Sequence, residues 1–440
     1  MHEGGEAGAA PAPRDVRMRG FAERADVDEV RSFLRARAQP LAPESVDLLA
    51  CAGRVLAQPV EAPCDVPGFR RAAMDGYAVH GADTFGASDL DPLVLALVGE
   101  AMPGRPFDAA LEPGQAVRIM TGAPVPEGAD AVVMAEVCEE RGPEEVLIHE
   151  AVAPGKNVGR VGEDIRRGEC VLQGGRRLRP QDAGLLASLG LVQVACVRRP
   201  RVALLVTGDE LLPPGSPPEG ARIVDSNSVM LAALVARDGG RSAPATYLPD
   251  REEAIGEALA QAEADVVLVS GGSSVGREDH APRLLARLGR LDFHGVAMRP
   301  SSPAGVGRLP PRSGRDAGAG ERLVLLLPGN PVSCLCAYDF FAGPAIRSLA
   351  GRAWAWPHRR VRLPLSRKIV SALGRVDYVR VAIEAGHVAP LATSGASILS
   401  STVRADGFVL VPRGREGMPE GEAVEVYLYD EASSGAGVER

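Results

Sequence analysis

The chain has 440 residues, of which 45% are hydrophobic and 24% are charged. This composition is typical of a globular protein and argues against a disordered, fibrous or membrane-embedded chain. The 49 basic residues are outnumbered by 57 acidic residues and only 4% of residues are aromatic, so we expect no nucleic-acid partner. At roughly 150 residues per domain, the length predicts about three domains.

The seven cysteines are scattered and include no C-x-x-C pair, which argues against a zinc or redox site and favours a reducing compartment. No apolar run approaches the ~18 residues that a membrane helix needs. Residues 1–20 lack the apolar centre of a secretion signal. We therefore expect a cytoplasmic protein without a membrane partner, with disordered tails at residues 1–20 and 433–440.

In chain order, the first predicted helix begins at Asp26, where a capping residue precedes apolar residues at helical spacing. A second helix is predicted at 180–189 and is closed by Gly190. Between them, short β-type runs separated by Gly/Pro turns predict strands at 116–120, 131–134 and 145–149. These patterns predict an all-β module from about residue 65 to 172 with helical material on both sides.

The following region alternates strand and helix patterns. Strands are predicted at 201–206, 243–248, 265–269 and 322–327, and helices at 228–236, 252–261 and 331–341. This alternation predicts a parallel sheet covered by helices on both faces, which is a doubly wound α/β domain at 199–350 with a surface loop at 307–322.

After Gly351 the helical pattern disappears. Strands are predicted at 361–365, 377–383, 407–412 and 423–427, so a small β domain is expected at 351–432. Arg375, Asp377 and Arg380 lie in this region, and we interpret them as a solvated charged face, with an anion contact as the alternative. The fold class is therefore α/β multidomain, in which a doubly wound α/β domain is combined with two mainly β domains and with helical segments on both sides of the first β domain.

Polar residues follow the predicted strands of the α/β domain at 207–210, 250 and 270–276. Because ligands bind at the carboxyl ends of strands in doubly wound sheets, these segments are expected to line one crevice. The glycines allow close backbone approach, and the loop amides favour a phosphate or oxyanion. A segment at 327–333 offers another strand, turn and helix start, although it needs no ligand to explain it.

Carboxylates in the same crevice would repel a phosphate unless a divalent cation such as Mg²⁺ bridges the two groups. Helix capping accounts equally well for each acid taken singly. The acids available for the cation are Asp209, Glu210, Asp225, Asp250 and Asp279.

With these motifs in order, the chain resembles the MoeA/gephyrin family, the molybdopterin molybdenumtransferases of molybdenum cofactor synthesis. The resemblance covers residues 27–429. It rests on Asp65-Val-Pro-Gly-Phe69, Ala73-Met-Asp-Gly-Tyr-Ala-Val79, the run at 118–134, Gly162-Glu-Asp164, Thr207-Gly-Asp-Glu-Leu211, the loop at 270–276 and Leu327-Pro-Gly-Asn-Pro331.

The resemblance implies an elongated homodimer with four domains. These are a split linker domain at 21–64 and 165–198, an inserted β domain at 65–164, a molybdopterin-binding α/β domain at 199–350 and a C-terminal β barrel at 351–432. The implied reaction converts adenylylated molybdopterin and molybdate, with Mg²⁺, into molybdenum cofactor and AMP. Implied protein partners are the molybdopterin adenylyltransferase and enzymes that accept the cofactor.

The resemblance also implies roles for individual residues. The residues with implied catalytic roles are Asp75, Thr121, Asp164, Glu210 and Asp250. Those expected at the cofactor and phosphate pocket are Gly271, Gly272, Ser273, Ser274, Arg299, Pro328, Asn330 and Pro331. The expected metal ligands are Glu210, Asp250 and Asp279.

The chain departs from the family pattern at several positions. Arg71-Ala72 stands where members carry Asn-Ser, and Ser301-Ser302 replaces a Gly-Lys pair after Arg299. An arginine at position 299 is not equivalent to the usual lysine, because it presents a planar fork rather than a point charge. These changes leave open an alternative function, in which a non-catalytic paralogue binds molybdopterin or the cofactor as a dimeric scaffold.

Overall fold

A computed structural model of the chain describes residues 24–217, 219–272, 280–311, 320–392 and 395–429. Its contacts divide the chain into two compact units. The smaller unit consists of Ser45–Ala52 and Leu56–Ala195, and the larger unit contains Gly53–Val55 with the described residues up to Glu44 and from Cys196 onward. The predicted tails at 1–20 and 433–440 lie outside the described residues. The four predicted domain boundaries stay predictions.

Within the described residues, a sheet of six strands forms the centre of the smaller unit. Tyr77 and Val79 pack into one apolar cluster while Ala78 and Val117 pack into another, because successive strand residues point to opposite faces. The strands predicted at 116–120, 131–134 and 145–149 are confirmed to within one residue. In order across the sheet, the strands are Ala131–Met134, Gly76–Val79, Gln115–Ile119, Leu93–Ala101, Glu145–Ile148 and Cys138–Glu140.

The predicted helix at 180–189 is confirmed as Pro180–Ser188. Asp182 fixes its first turn, because this buried carboxylate accepts hydrogen bonds from the Arg179 amide at 2.8 Å and from the Arg176 guanidinium. Short elements surround this helix and the sheet: helices Leu48–Cys51, Gly81–Thr84 and Ala135–Val137, and strand pairs Pro43–Asp47 with Gln193–Val197, Val60–Glu61 with Cys170–Leu172 and Arg71–Ala72 with Val158–Gly159.

The larger unit contains the doubly wound sheet. Strands Val266–Ser270 and Arg322–Leu327 are buried at every position, as expected for central strands covered on both faces. One face packs against helices Val27–Arg37, Asn227–Arg237, Pro331–Ala337 and Gly343–Leu349, and the other packs against helices Glu252–Gln261 and Ala281–Leu288. In order, the described strands are Arg241–Ser242, Arg201–Thr207, Val266–Ser270, Arg322–Leu327, Gly305–Leu309 and Arg290–His294, with Thr246–Leu248 also paired to Arg201–Thr207.

The expectation of a purely parallel sheet is wrong at one edge. Gly305–Leu309 runs antiparallel to Arg322–Leu327, and Arg290–His294 runs antiparallel to Gly305–Leu309. Consecutive strands of this edge are joined without an intervening described helix, so the chain reverses where a helical crossover would keep it parallel. The single strand predicted at 243–248 is likewise two pieces, Arg241–Ser242 and Thr246–Leu248.

The helix predicted at 331–341 changes its hydrogen bonding at Tyr338–Ala342, which forms a π-helical turn. Pro344 has no N–H with which to bond the carbonyl of Phe340. That carbonyl instead accepts a hydrogen bond from the Arg31 guanidinium at 3.3 Å. The carbonyl of Asp339 accepts from the Trp356 indole at 2.6 Å. Side chains thus satisfy the carbonyls that the altered turn releases.

The C-terminal strands form a sheet whose edges approach each other. Its described strands run in the order His387–Ala392, Val376–Glu384, Gly407–Val411, Ala423–Leu428 and Arg360–Pro364, with Met298–Arg299 also paired to Val376–Glu384. A bridge between Leu365 and Val388 joins the first and last of these strands, as expected for a barrel. The short pair Ile369–Val370 with Gly417–Met418 and the helix Ser400–Val403 complete this part. The absence of helix predicted after Gly351 is therefore wrong at Ser400–Val403.

Candidate functional site

The carboxyl ends of two neighbouring strands meet closely at Thr207 and Gly271. A Cβ atom at Gly271 would lie 2.4 Å from the Thr207 carbonyl oxygen, and one at Gly272 would lie 2.9 Å from the Thr207 hydroxyl. Both glycines have positive φ values of 94° and 55°. Only glycine allows this approach, so the predicted need for glycine at both positions is explained by contact with Thr207.

The Thr207 hydroxyl is a polar atom without a hydrogen-bond partner among the described residues. Thr207 is 2% exposed, and its Oγ1 atom is buried. An unsatisfied buried hydroxyl costs about 1–3 kcal/mol, and positions of this kind are often completed by a ligand. Thr207 was not among the predicted site residues, although its position directly before Gly208 at a strand end was available as a signal.

Two of the predicted acids lie at the same edge of the sheet. The carboxylates of Asp209 and Asp250 each accept a hydrogen bond from the other residue's backbone amide, both at 3.3 Å. The Glu210 carboxylate lies against Gly208, where a Cβ atom would be 2.7 Å from Glu210 Oε2. The residues at 207–210 and 250 therefore form one polar border, as the strand-end argument predicts.

Asp225 is not an acid of this border. It is 6% exposed and accepts hydrogen bonds from the amides of Asn227 and Ser228 at the start of helix Asn227–Arg237 and from the Tyr247 hydroxyl at 2.9 Å. The capping interpretation is confirmed for this acid. Asp279, Ser273 and Ser274 lie outside the described residues, and within the described residues no three acidic, histidine or cysteine side chains are grouped to hold a metal ion.

The strand Arg322–Leu327 leads directly into the turn that contains Pro328 and Asn330. The Leu327 carbonyl accepts a hydrogen bond from the Gly271 amide at 3.1 Å. The turn at 328–330, which we call the proline turn, is therefore adjacent to residues 270–272, which we call the glycine loop. Pro331 occupies the first turn of helix Pro331–Ala337, as predicted. Pro328 is buried and Asn330 is exposed. The turn and the glycine loop thus lie side by side at the carboxyl edge of the sheet.

Arg299 was predicted at the cofactor and phosphate pocket. The short strand that carries it, Met298–Arg299, belongs to the C-terminal sheet and not to the sheet that carries the glycine loop. This strand pairs with Val376–Glu384, and the Arg299 guanidinium donates to the Asp377 carboxylate at 2.8 Å. Its Nε atom is buried and has no hydrogen-bond partner among the described residues, and the same is true of the Ser302 hydroxyl. Arg380 is 1% exposed on the same C-terminal strand. Arg299 and Ser302 are themselves only partly buried, although each carries one buried donor atom.

The interpretation of Arg375, Asp377 and Arg380 as a solvated face is wrong. Asp377 and Arg380 are each 1% exposed. Asp377 accepts hydrogen bonds from Arg299, Arg375 and the Ser371 hydroxyl, so its charge is neutralised inside the protein. The spacing of charges along one strand did not reveal this burial, because the covering residues come from distant parts of the chain.

In the smaller unit, Asp75 and Thr121 are directly bonded. One carboxylate oxygen of Asp75 accepts from both the backbone amide and the hydroxyl of Thr121, each at 2.7 Å. These bonds, with the amide contributing most, lower the pKa of the Asp75 carboxyl below its usual value. Asp75 is therefore ionised at neutral pH, and its second carboxylate oxygen remains available on the protein surface.

Gly76 is required by the strand next to it. Its φ is 157°, and a Cβ atom would lie 1.9 Å from the Val133 carbonyl oxygen. Tyr77 is 7% exposed and donates to Glu140 at 2.6 Å. Met74, in contrast, is 45% exposed. The motif thus places an ionised carboxylate and an apolar side chain on the surface.

Asp164 is also on the surface of the smaller unit, where its backbone amide donates to the Val66 carbonyl at 3.1 Å. The neighbouring Glu163 accepts from Arg71 at 2.7 Å and from the Arg160 amide at 3.0 Å. These two donors, with Arg71 contributing most, lower the pKa of the Glu163 carboxyl. Arg71, a departure from the family pattern, is therefore paired with a residue of the family motif at 162–164.

A cavity of about 780 Å³ lies in the larger unit, between the sheet edge and helix Glu252–Gln261. Its lining includes Arg201 and Leu205 of strand Arg201–Thr207 and Leu248 of the neighbouring strand. Leu248 pairs with Thr207, so the cavity extends along the strands to the residues that precede the polar border at 207–210 and 250.

Comparison with known proteins agrees with this arrangement along the chain. The family model of the MoeA N-terminal region (domain I and II) matches residues 25–190, and that of the MoeA C-terminal region (domain IV) matches 362–429. A model described as "probable molybdopterin binding domain" matches 203–348. The molybdopterin molybdenumtransferase of Haemophilus influenzae is 33% identical over 92% of this chain and 98% of its own length. The chain belongs to the molybdopterin molybdenumtransferase family.

Other family members give the same result. Molybdopterin molybdenumtransferase 2 of Mycobacterium tuberculosis is 35% identical over 88% of this chain and 95% of its own length. The crystal structure of the molybdopterin biosynthesis MoeA protein from Pyrococcus horikosii matches with a TM-score of 0.77 and 31% identity, over 93% of this chain and 100% of that one. Family membership confirms the resemblance and the multidomain α/β fold class. The described helices are all too short or too polar to span a lipid bilayer.

Proposed function

We propose that this protein inserts molybdenum into molybdopterin, using adenylylated molybdopterin and molybdate as substrates and releasing molybdenum cofactor and AMP. Its family acts in molybdenum cofactor biosynthesis. The observation that carries the finer proposal is the meeting of a glycine loop, a proline turn and carboxylates at the carboxyl ends of adjacent parallel strands. Such an edge favours a ligand that carries phosphate groups.

In this proposal, the glycine loop and the neighbouring turn bind the phosphate and pterin parts of the substrate. Gly271 and Gly272 allow the backbone to approach the ligand, and the unsatisfied Thr207 hydroxyl supplies a hydrogen bond beside them. The remaining predicted contacts are Ser273, Ser274, Pro328, Asn330 and Pro331.

Mg²⁺ fits the chemistry of the polar border, because Glu210 and Asp250 supply the carboxylate oxygens that this ion prefers. The ion commonly takes one or two carboxylates together with water and substrate phosphates, so a complete protein cage is not required. Glu210, Asp250 and Asp279 are the proposed ligands. When bound, the ion neutralises phosphate charge.

Molybdate is a tetrahedral oxyanion, and Arg299 and Ser302 offer donors suited to it. Arg299 Nε and the Ser302 hydroxyl are unsatisfied, and the Arg380 guanidinium lies on the adjacent strand. Donors without a partner are favourable for an oxyanion because binding satisfies them without breaking other bonds. We expect variants of Arg299 and Ser302 to raise the KM for molybdate more than the KM for the pterin substrate.

Asp75, Thr121 and Asp164 complete the proposed catalytic set. The Thr121 bonds keep Asp75 ionised and oriented, so a carboxylate is available at neutral pH to act on molybdate or a proton. The protein works as a homodimer in this proposal. Sedimentation of the purified protein tests this part separately from the chemistry.

The deciding experiment measures AMP release by the purified protein from adenylylated molybdopterin, with and without molybdate and Mg²⁺. We expect release that requires molybdate and is abolished by chelation of the metal. The matched control is Glu210→Gln, which preserves size and removes the charge. Substrate binding without AMP release by the folded wild-type protein would contradict the catalytic proposal.

A second function is favoured by one observation, namely that the guanidinium of Arg299 is already paired with Asp377. A cation that is neutralised within the protein attracts an anion less strongly. In this alternative, the chain binds molybdopterin or the finished cofactor as a dimeric scaffold without turnover. Calorimetry distinguishes the two, because tight molybdopterin binding with no AMP formed at any molybdate concentration supports the scaffold.

A further inference from the structure

The side chain of Asn227 connects the glycine loop with the proline turn. Its amide nitrogen donates to the Ser270 hydroxyl at 2.9 Å and to the Gly329 carbonyl at 2.7 Å. Ser270 directly precedes Gly271, and Gly329 directly follows Pro328. One side chain therefore joins two segments that come from different strands and that are 59 residues apart in sequence (329 minus 270).

The orientation of this amide is determined by its surroundings. The Gly329 carbonyl can only accept a hydrogen bond, so the group that faces it must be the NH₂ of Asn227. The Oδ1 atom then points away from both bonds, where it is buried and has no hydrogen-bond partner in the structure. Leaving the buried Oδ1 acceptor without a hydrogen bond costs free energy. The stability of the fold alone therefore does not explain why Asn227 keeps the orientation that donates these two bonds.

The backbone of Asn227 is fixed by a separate set of hydrogen bonds. Asn227 is the first residue of helix Asn227–Arg237, and the Asp225 carboxylate accepts from its backbone amide at 2.8 Å. Asp225 also accepts from the Tyr247 hydroxyl, and Tyr247 lies on the strand Thr246–Leu248. Asn227 is 6% exposed. These contacts fix the backbone of Asn227 at the helix start, whereas its side chain, within the described residues, bonds only the two loop segments.

From this geometry we infer that Asn227 is a positioning residue, which sets the separation between the glycine loop and the proline turn and so shapes the pterin and phosphate pocket. The inference rests on the proposed function, because both segments are proposed to contact the same ligand. Two loops that must bind one ligand together lose affinity when either is free to shift, since binding must then order it. Asn227 acts through these loops and need not touch the substrate.

The test compares Asn227→Ala with wild-type protein by titration with molybdopterin and by steady-state AMP release. We expect the Kd and the KM for the pterin substrate to rise about tenfold or more, while the KM for molybdate changes by less than about threefold. Asn227→Asp, which keeps the size but replaces the donor with an oxygen facing the Gly329 carbonyl, should give the same result. Ser270→Ala removes only one of the two bonds and should give a smaller increase.

Tyr247→Phe is the matched control, because it removes a hydrogen bond from the same chain of contacts but joins neither loop. We expect it to lower the melting temperature while leaving the Kd for molybdopterin at the wild-type value. If Asn227→Ala and Asn227→Asp lower the melting temperature but keep the wild-type Kd and KM, Asn227 is only structural and the inference is wrong. Failure of the wild-type protein itself to bind molybdopterin would instead overturn the proposed function.

Discussion

Asp75 accepts both hydrogen bonds from Thr121 with a single carboxylate oxygen. A substitution can therefore remove its charge while keeping the hydrogen bonds that hold its turn. In Asp75→Asn the side-chain carbonyl can accept the same two bonds, and only the negative charge is lost. We expect an unchanged melting temperature and turnover reduced at least ~100-fold, as for loss of one positioned catalytic group. Thermal unfolding and AMP release are the two measurements.

Thr121→Ser is the control for this prediction, because serine keeps both the amide and the hydroxyl donor. Its turnover should stay close to that of the wild-type protein. A lower melting temperature in Asp75→Asn with full activity would show that the carboxylate serves the turn rather than the chemistry.

Arg71 is the departure from the family pattern that the structure explains most directly. Its ion pair with Glu163 is exposed, with side chains 46% and 35% accessible, and exposed pairs contribute little because water and salt screen them. We expect Arg71→Ala to leave the free energy of unfolding close to the wild-type value and to change turnover by less than about threefold. Urea denaturation and AMP release measure the two effects, and a tenfold loss of turnover would mean that Arg71 orients the motif at 162–164.

At the scale of elements, the π-helical turn places Asp339 inside the larger unit next to His358. The His358 Nδ1 atom lies 2.9 Å from the Leu428 carbonyl, which can only accept, so Nδ1 carries a proton. Its Nε2 atom lies 4.0 Å from the Asp339 carboxylate, which also accepts from Arg237. Burial lowers the pKa of His358. The negative charge of Asp339 raises this pKa, and the positive charges of Arg237 and Arg347 lower it, so that the overall shift is downward.

The lowered pKa gives a defined pH dependence of stability. The folded state favours neutral His358, so its contribution is fully present above the unfolded pKa of about 6.5 and is lost as pH falls through the folded pKa. We expect the free energy of unfolding to decrease from about pH 7.5 to about pH 5.5 in the wild-type protein and to decrease less in His358→Gln. Urea denaturation at both pH values measures this, and equal slopes for the two proteins would rule out His358 as the titrating group.

At the scale of the whole molecule, the elements that could be predicted from sequence are those with a local signal. The continuous apolar run at 322–327 predicted a central strand, and Asp26 predicted a helix start, because each pattern reflects only neighbours along the chain. The glycines at 271–272 predicted close backbone approach, and their contact with Thr207 bears this out.

Features that depend on distant partners could not be predicted in the same way. The antiparallel edge at 290–309, the burial of Asp377 and the two bonds of Asn227 all involve residues far apart in sequence. Pro344 was a local signal for the interruption of the helix at Tyr338–Ala342. No local signal identified Arg31, whose guanidinium donates to a carbonyl that the interruption releases. Long-range pairing, rather than propensity, thus separates the predicted features from the missed ones.

The two compact units have separate apolar clusters, which predicts that the chain does not unfold in a single two-state transition. Both tryptophans, Trp354 and Trp356, belong to the larger unit, so tryptophan fluorescence reports on that unit alone. Ile119→Ala removes a fully buried side chain from the smaller unit and should cost about 2–5 kcal/mol there. We expect this variant to shift one part of the urea transition seen by circular dichroism and to leave the fluorescence transition unchanged. Val267→Ala, in the core of the larger unit, is the matched variant that should shift the fluorescence transition. If Ile119→Ala moves both signals together, the two units unfold as one.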